Sequence, residues 1–319
     1  MPATSNGADM TQTRALLLVI TCLLLTLAIW APEFFAPGNL QILALSHLPL
    51  LIAATAMTLL ITAGQIDVAI GAEVALCAVV AGIAARAGLP IPIWIGAALL
   101  TGVLIGFAHG MLVTKLRIPA LVTTLATLAI LRGALRLATG GVWIQQLPAS
   151  FQWCGLGQAA GQLIYMAIAA AVCTLVFIVM RQTKVGREVF ATGCDPETAR
   201  LLGARPERVV PGVFIASGLL AGLAALLDQT RLPSVAIEAG TGLELAAIAC
   251  VVLGGASIRG GRGSVGGTAL GVLFFAAISG LVFLHVDPVW ERAIQGAILL
   301  IAIAREARPK LHKAASGHA

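Results

Sequence analysis

The residues of this chain that are best able to do chemistry are the ionisable ones that interrupt long apolar runs. A charged side chain inside an apolar helix is costly, so it commonly contacts a polar solute, pairs with an opposite charge or relays protons. The set consists of Asp67, Glu73, Arg132, Arg136, Asp228, Glu244 and Arg292. These residues predict a polar path through an otherwise apolar protein.

Asp67, Glu73 and Glu244 are the candidates for lining that path. Asp67 precedes an apolar helix predicted over 68–85, so it can equally be the N-cap of that helix. Glu73 lies deeper in the same helix, where capping does not explain it; it either faces the path or pairs with an arginine. Glu244 either lines the path or lies near the outer membrane surface. Arg132 and Arg136 share a helix face, and their side chains can extend outward to the membrane surface.

Other reactive residue types do not form a recognisable site. No constellation of His, Asp, Glu or Ser on facing helices stands out, which disfavours an integral-membrane enzyme. His47 and His109 are isolated polar points, for which structural roles are expected. The six cysteines contain no CxxC pair and mostly lie in apolar runs. We expect them to be small core residues, and we predict neither a disulfide framework nor a metal site.

The composition predicts a membrane protein. Of the 319 residues, 59% are hydrophobic and 11% are charged, whereas soluble domains carry about 25% charged residues. The apolar residues form many long uncharged runs, and a helix needs roughly 20 such residues to cross a bilayer. Strands of a membrane barrel would alternate polar and apolar residues, which these runs do not. The fold class is therefore an all-α integral membrane bundle, with the whole chain, 1–319, as one membrane domain.

Ten apolar segments are candidate membrane spans, and the eighth is short enough to be a re-entrant segment instead. They cover residues 15–31, 48–63, 68–85, 91–113, 118–138, 162–180, 209–227, 243–256, 265–283 and 289–304.

The distribution of basic residues predicts the topology. If both termini are cytoplasmic and ten helices cross, the inside segments hold 15 of the 20 basic residues. The outer loop 139–161 then holds none, as the positive-inside rule requires. If the eighth segment did not cross, the basic tail after residue 304 would lie outside, so we expect it to cross. The net charge of +6 reflects this topology and does not indicate nucleic-acid binding.

Glycines recur at four-residue spacing in three predicted spans. The sets are Gly102, Gly106 and Gly110; Gly218 and Gly222; and Gly267 and Gly271. Such spacing lets two helix backbones approach closely. The contact is expected within the subunit, with a dimer contact as the alternative.

The longest inside loop, 181–208, contains a short helix with its own start and stop signals. Asp195 can cap it, Pro196 suits its first position and Glu197 its first turn. Gly203 suits the position just past its end. The helix presents Thr198, Ala199, Leu201 and Leu202 among charged residues, and exposed apolar residues indicate a docking element.

The glycines Gly261, Gly263 and Gly266 match the spacing G-x-G-x-x-G, but they predict a tight turn. No alternation of strands and helices surrounds them, and no Lys-Ser or Lys-Thr follows them as in a P-loop. We therefore expect no nucleotide or other cofactor on this chain.

Four motifs in order resemble one known family. GREVFATGCDPETARLLGARPERV (186–209) looks like the cytoplasmic loop of the ribose, xylose, rhamnose and autoinducer-2 ABC permeases. GQIDVAIGAEVALCAVVAG (64–82), IPALVTTLATLAILRG (118–133) and ELAAIACVVLGGASIRGGRGSVGGTALG (244–271) resemble three further elements of that family. TGGVWIQQLP (139–148) looks most like the rhamnose and autoinducer-2 branch.

The resemblance implies a subunit of an ATP-driven importer for a monosaccharide or similar small polar solute, in the bacterial inner membrane. Its partners would be the lipid bilayer, a second permease chain, a cytoplasmic ATPase that binds the ATP, and a periplasmic solute-binding protein. The short helix would be the coupling helix that contacts the ATPase. Coupling residues would then be Arg187, Glu188, Asp195, Glu197, Arg200, Leu201 and Gly203. An ion-coupled carrier working alone is the alternative, and it would not need that helix.

Overall fold

The structure is a computed structural model that describes residues 6–281 and the isolated residues 293, 296 and 297, with side chains from Arg14 onward. Eleven α-helices form in the described part. They are α1 Asn6–Trp30, α2 Pro37–Thr62, α3 Ile70–Arg86, α4 Ile91–Lys115, α5 Ala120–Thr139, α6 Gln158–Gln182, α7 Lys184–Cys194, α8 Pro196–Leu201, α9 Pro206–Gln229, α10 Leu243–Leu253 and α11 Val265–Ser279. Two 3-10 helices, Pro32–Phe35 and Ala149–Gly155, join them. The described residues contain no strand, and Ile144 and Val235 form an isolated bridge.

Helices α2 and α9 form the centre of the bundle, and α4, α5 and α6 lie around them. Five helices are long and apolar enough to cross a membrane: α2, α4, α5, α6 and α9. Of the apolar window of α2 and of α9, 67% is buried, whereas only 17–22% of that of α4, α5 and α6 is buried. An apolar exterior of this kind suits lipid or a partner helix. The predicted α-helical membrane bundle is confirmed at this level.

Helices α4 and α9 pack backbone against backbone. A Cβ atom at Gly102 would overlap the carbonyl oxygen of Gly218, and a Cβ at Gly218 would overlap that of Gly102. Gly267 and Gly271 of α11 approach Gly254 and Cys250 in the same way. The four-residue glycine spacing therefore serves packing within the subunit, as expected.

Several predicted boundaries differ from the structure. Helix α2 begins eleven residues before the predicted span, at Pro37. Helix α3 begins at Ile70 rather than Val68, so Asp67 is not its N-cap. The tenth predicted span, 289–304, and the C-terminal tail lie outside the described residues.

The eighth predicted span, 243–256, is a short helix that follows a non-helical segment. Its helix, α10, has 11 residues and is about 16 Å long, about half of a hydrocarbon core of roughly 30 Å. Before it, residues 230–242 are not helical. Val235 bonds Ile144 beyond the C-terminal end of α5, whereas the Gly261 amide, beyond α10, bonds the Thr62 carbonyl at the C-terminal end of α2. The segment therefore connects opposite ends of the bundle.

Candidate functional site

Two non-helical segments lie at the start of α3 inside the bundle. The first, residues 63–69, joins α2 to α3, and the second, residues 230–242, joins α9 to α10. The second segment contacts the first turn of α3, just after the first segment, because a Cβ atom at Gly240 would lie 2.5 Å from the Gly71 carbonyl oxygen. We call this place the central junction. Non-helical backbone at membrane depth requires protein partners for its polar groups.

Arg132 supplies such partners at the central junction. It is the thirteenth residue of the 20-residue helix α5, so it lies near mid-depth. Its guanidinium donates to the carbonyl oxygens of Ile237 and Ala239, each at 3.1 Å. The expectation that Arg132 only extends outward was wrong, because these two carbonyls have left helical geometry and need donors. Arg136, one turn further on, is exposed.

Asp67, Glu73 and His109 form a fully buried polar cluster beside the central junction. His109 Nδ1 of α4 lies 3.2 Å from Glu73 Oε1 and 3.6 Å from Asp67 Oδ2. All three side chains are at most 1% exposed. The other carboxylate oxygen of Asp67 accepts from the Ala69 amide at 2.8 Å. The ring of Phe214 on α9 covers the imidazole edge-on at 5.8 Å.

The cluster corrects two sequence-based expectations. His109 is not an isolated polar point, and the described ionic partner of Glu73 is this histidine, not an arginine. Glu73 and His109 are 36 positions apart, and they meet only because α3 and α4 pack side by side. A histidine in an apolar run was the available signal, but its partner could not be read from spacing.

Glu244 lies at the central junction and not near an outer surface. It is in the first turn of α10, half-buried, and its Oε1 accepts from the Gly242 amide at 3.3 Å. Its Oε2 lies against Gly71 and has no hydrogen-bond partner within the described chain. Asp228 instead pairs with Arg231 at 3.1 Å at the end of α9.

The short helix of the inside loop, α8, forms as predicted. Asp195 accepts from the Glu197 amide at 3.0 Å and from the Thr198 hydroxyl at 2.6 Å. These bonds, the Thr198 one foremost, hold the pKa of Asp195 below its usual value. Gly203 follows the helix with a φ of +85°, the left-handed conformation that ends helices at glycine.

The surface of α8 combines charge and apolar groups. Arg200 donates to Glu207 at 2.7 Å and lies 3.7 Å from Glu197. Leu201 and Leu202 are 88% and 79% exposed. Ala199 is buried, so it is not presented as expected.

Helix α7 was not predicted. Thr183 begins it by accepting from the Gly186 amide at 3.3 Å, and its buried face includes Val189 and Thr192. The Thr at its start and its apolar spacing were the available signals. Glu188 pairs with Lys184 at 3.6 Å.

The C-terminal end of α7 packs closely against the bundle. A Cβ atom at Gly193 would overlap the carbonyl of Thr62, where α2 ends. The predicted glycine turn lies next to it, because the Gly261 amide donates to the same carbonyl at 2.9 Å. Helix α7 therefore touches the chain one residue before the first non-helical segment.

A pocket of about 340 Å³ opens between α6, α7 and the start of α11. Exposed Arg187 and Arg181 line it together with Phe190 and Ser264. Arg187 lies within α7. The other residues predicted for coupling lie in α7, in α8 or at the ends of α8, and we call these two helices the α7–α8 element.

Comparison with protein families decides the class. A family described as "Branched-chain amino acid transport system / permease component" matches residues 39–303. The chain belongs to this permease family. The match includes α2 through α11, so the central junction and the α7–α8 element both lie within the family region of the permease.

Characterised relatives agree with the predicted resemblance. The permease is 34% identical to the "Autoinducer 2 import system permease protein LsrC" of Photorhabdus luminescens over 92% of this chain and 88% of that protein. It is 37% identical to the protein of the same name from Salmonella typhi, over 89% and 82% of the two chains. The protein of the same name from Escherichia coli K12 is 37% identical, over 81% of this chain and 76% of that protein. These relatives are transport permeases and not enzymes, which confirms the prediction of a transport subunit. No solved structure matches the chain.

Proposed function

We propose that the permease is the membrane-spanning subunit of an ATP-driven importer for autoinducer-2 or a similar small, sugar-like solute. The chain would cross the bacterial inner membrane ten times with both termini in the cytoplasm. It would act with a second permease chain, a cytoplasmic ATPase and a periplasmic binding protein. ATP would bind to the ATPase, and this chain would bind no cofactor in transport.

The observation that carries the proposal is the exposed pair Leu201 and Leu202 on a capped helix fixed to the bundle. Isolated helices of fewer than about 12 residues are marginal in water, and exposed leucines gain stability only when a partner covers them. The caps at Asp195 and Gly203 give α8 a defined shape. We therefore assign it the role of the coupling helix, with Arg187, Glu188, Glu197 and Arg200 as the charged residues around the contact.

A series of contacts connects α8 to the central junction. A push on α8 moves α7, whose last turn contacts Thr62 through Gly193. The chain then continues through the non-helical residues 63–69 to Asp67. Since non-helical segments change shape at lower cost than helices, these residues are the natural place for the transport path to open and close.

Asp67, Glu73 and Glu244 remain our candidates for lining the path. In the described conformation Asp67 and Glu73 are buried within the chain, whereas Glu244 is partly exposed at the central junction with its Oε2 buried. Glu244 is therefore the residue we expect the solute to contact first.

The proposal is tested by Leu201→Asp. The added carboxylate would have to be buried in the contact without a partner, which is costly. We expect normal membrane abundance, loss of the ATPase in a pull-down from detergent and loss of solute uptake. Val142→Asp is the matched control, because Val142 is a 62% exposed apolar residue of the opposite loop, and it should retain the ATPase. Full ATPase retention and uptake by Leu201→Asp would refute the coupling assignment.

A further inference from the structure

We propose that Asp67, Glu73 and His109 bind one divalent transition-metal ion, of the type represented by Zn²⁺, inside the bundle. Each residue offers one ligand atom, and the three atoms lie within 4.8 Å of one another. The ion would tie the first non-helical segment and α3 to α4. The site uses two of the three path candidates, Asp67 and Glu73, and leaves Glu244 for the solute contact.

The distances fit metal ligands. In a tetrahedral zinc site with bonds of about 2.1 Å, neighbouring ligand atoms are about 3.4 Å apart. The imidazole nitrogen lies 3.2 Å from the Glu73 oxygen and 3.6 Å from the Asp67 oxygen. The two carboxylate oxygens lie within 4.8 Å of each other, so an ion bound by all three atoms would draw the carboxylates together and leave a fourth position open.

The hydrogen bonding of the cluster is incomplete without a further ligand. Neither carboxylate oxygen of Glu73 has a hydrogen bond of acceptable geometry, and neither ring nitrogen of His109 has one, within the described part of the chain. Buried polar atoms rarely remain without partners. Glu73 is 0% exposed and His109 is 1% exposed, so bulk water does not supply them.

The charge balance points to a cation. Two buried carboxylates carry two negative charges if both are ionised, and burial of unpaired charge is strongly unfavourable. No described lysine or arginine forms an ion pair with Asp67 or Glu73; their described partner is His109. A divalent ion with a neutral imidazole would balance both carboxylates. A mixed nitrogen and oxygen ligand set suits Zn²⁺ better than Mg²⁺, which prefers oxygen ligands and retains its waters.

The site can be tested on the purified full chain in detergent. The chain is stripped with a chelator and dialysed against Zn²⁺ or Mg²⁺, and bound metal is measured by mass spectrometry together with the unfolding temperature. We expect about one more Zn²⁺ per chain in the native protein than in Glu73→Gln or His109→Gln. Zn²⁺ should raise the unfolding temperature of the native protein and not that of the variants, and Mg²⁺ should change neither protein.

Matched controls separate this site from surface binding. His47→Gln changes a histidine outside the cluster and should retain the additional ion, while any metal held by the exposed Cys22 and Cys194 would be the same in all variants. Equal zinc content in the native chain and Glu73→Gln would overturn the proposal, and the cluster would then be an internal ion pair with a protonated His109. If the variants do not fold, X-ray absorption spectroscopy of the zinc-loaded native chain identifies the atoms that bind the zinc ion. One imidazole with oxygen ligands supports the site, and a sulfur-containing shell refutes it.

Discussion

Gly71 and Gly240 pack backbone against backbone, and neither position has room for a side chain. This contact joins the non-helical segment before α10 to the first turn of α3, two residues after the other non-helical segment ends. Gly240 also has a φ of +67°, which residues with a Cβ adopt at a cost. The central junction thus depends on two glycines that are 169 positions apart.

The first prediction concerns this contact. Gly71→Ala places a Cβ atom onto the Gly240 carbonyl oxygen, and overpacking of this kind costs about 1–3 kcal/mol. We expect a lower unfolding temperature in detergent and a lower yield of monodisperse protein. Gly133→Ala is the control, since nothing lies within 4 Å of a Cβ there and alanine favours helix. Equal unfolding temperatures for the two variants would contradict the packing of the central junction.

The second prediction concerns Arg132. Lysine has a single ammonium group and cannot reproduce the two parallel guanidinium bonds to Ile237 and Ala239. A buried carbonyl left without a donor costs about 1–3 kcal/mol. Arg132→Lys should therefore lower stability and solute uptake. Arg136→Lys, which changes an exposed side chain on the same helix, should match the native protein in both. If Arg132→Lys also matched it, the second segment would not depend on this residue.

The third prediction concerns Glu244. Glu244 is partly exposed at the central junction, and its Oε2 is buried without a hydrogen-bond partner in the described part of the chain, so it can accept from a hydroxyl group of a solute once the junction opens. Glu244→Gln should reduce uptake while leaving membrane abundance and ATPase association unchanged. Glu33→Gln is the matched control, because Glu33 is exposed in the 3-10 helix Pro32–Phe35, outside the two non-helical segments. Unchanged uptake by Glu244→Gln would remove this residue from the path.

The fourth prediction concerns topology. Loop 139–161 has no lysine or arginine, whereas 181–208 has six. A thiol reagent that cannot cross membranes should label Ser150→Cys in intact cells and should not label Cys194. Ser150 is the better reporter in this loop because it is exposed, whereas Cys154 is half-buried against Tyr165 at 3.2 Å. In inverted vesicles the pattern should reverse. Labelling of Cys194 in intact cells would contradict the proposed orientation.

Local features of the sequence predicted several elements correctly. The membrane class followed from long uncharged runs, since few other folds accept them. The start and end of α8 followed from Asp195 and Gly203, because capping depends on a residue and its immediate neighbours. The glycine turn before α11 followed for the same reason. The four motifs predicted the family, which the comparisons then confirmed.

What tertiary structure alone decided was which polar residues meet. Glu73 with His109, and Arg132 with Ile237, are pairs separated by 36 and 105 positions, and their contacts depend on how each helix is rotated. In a soluble helix an apolar stripe reveals that rotation, but a membrane helix is apolar on both its lipid side and its packed side. Sequence periodicity therefore could not orient α3, α4 or α5. The non-helical residues 63–69 and 230–242 largely coincide with the gaps between predicted spans, but the sequence could not show that Gly240 packs on Gly71 or that Arg132 bonds Ile237 and Ala239, because these contacts join residues far apart in the chain.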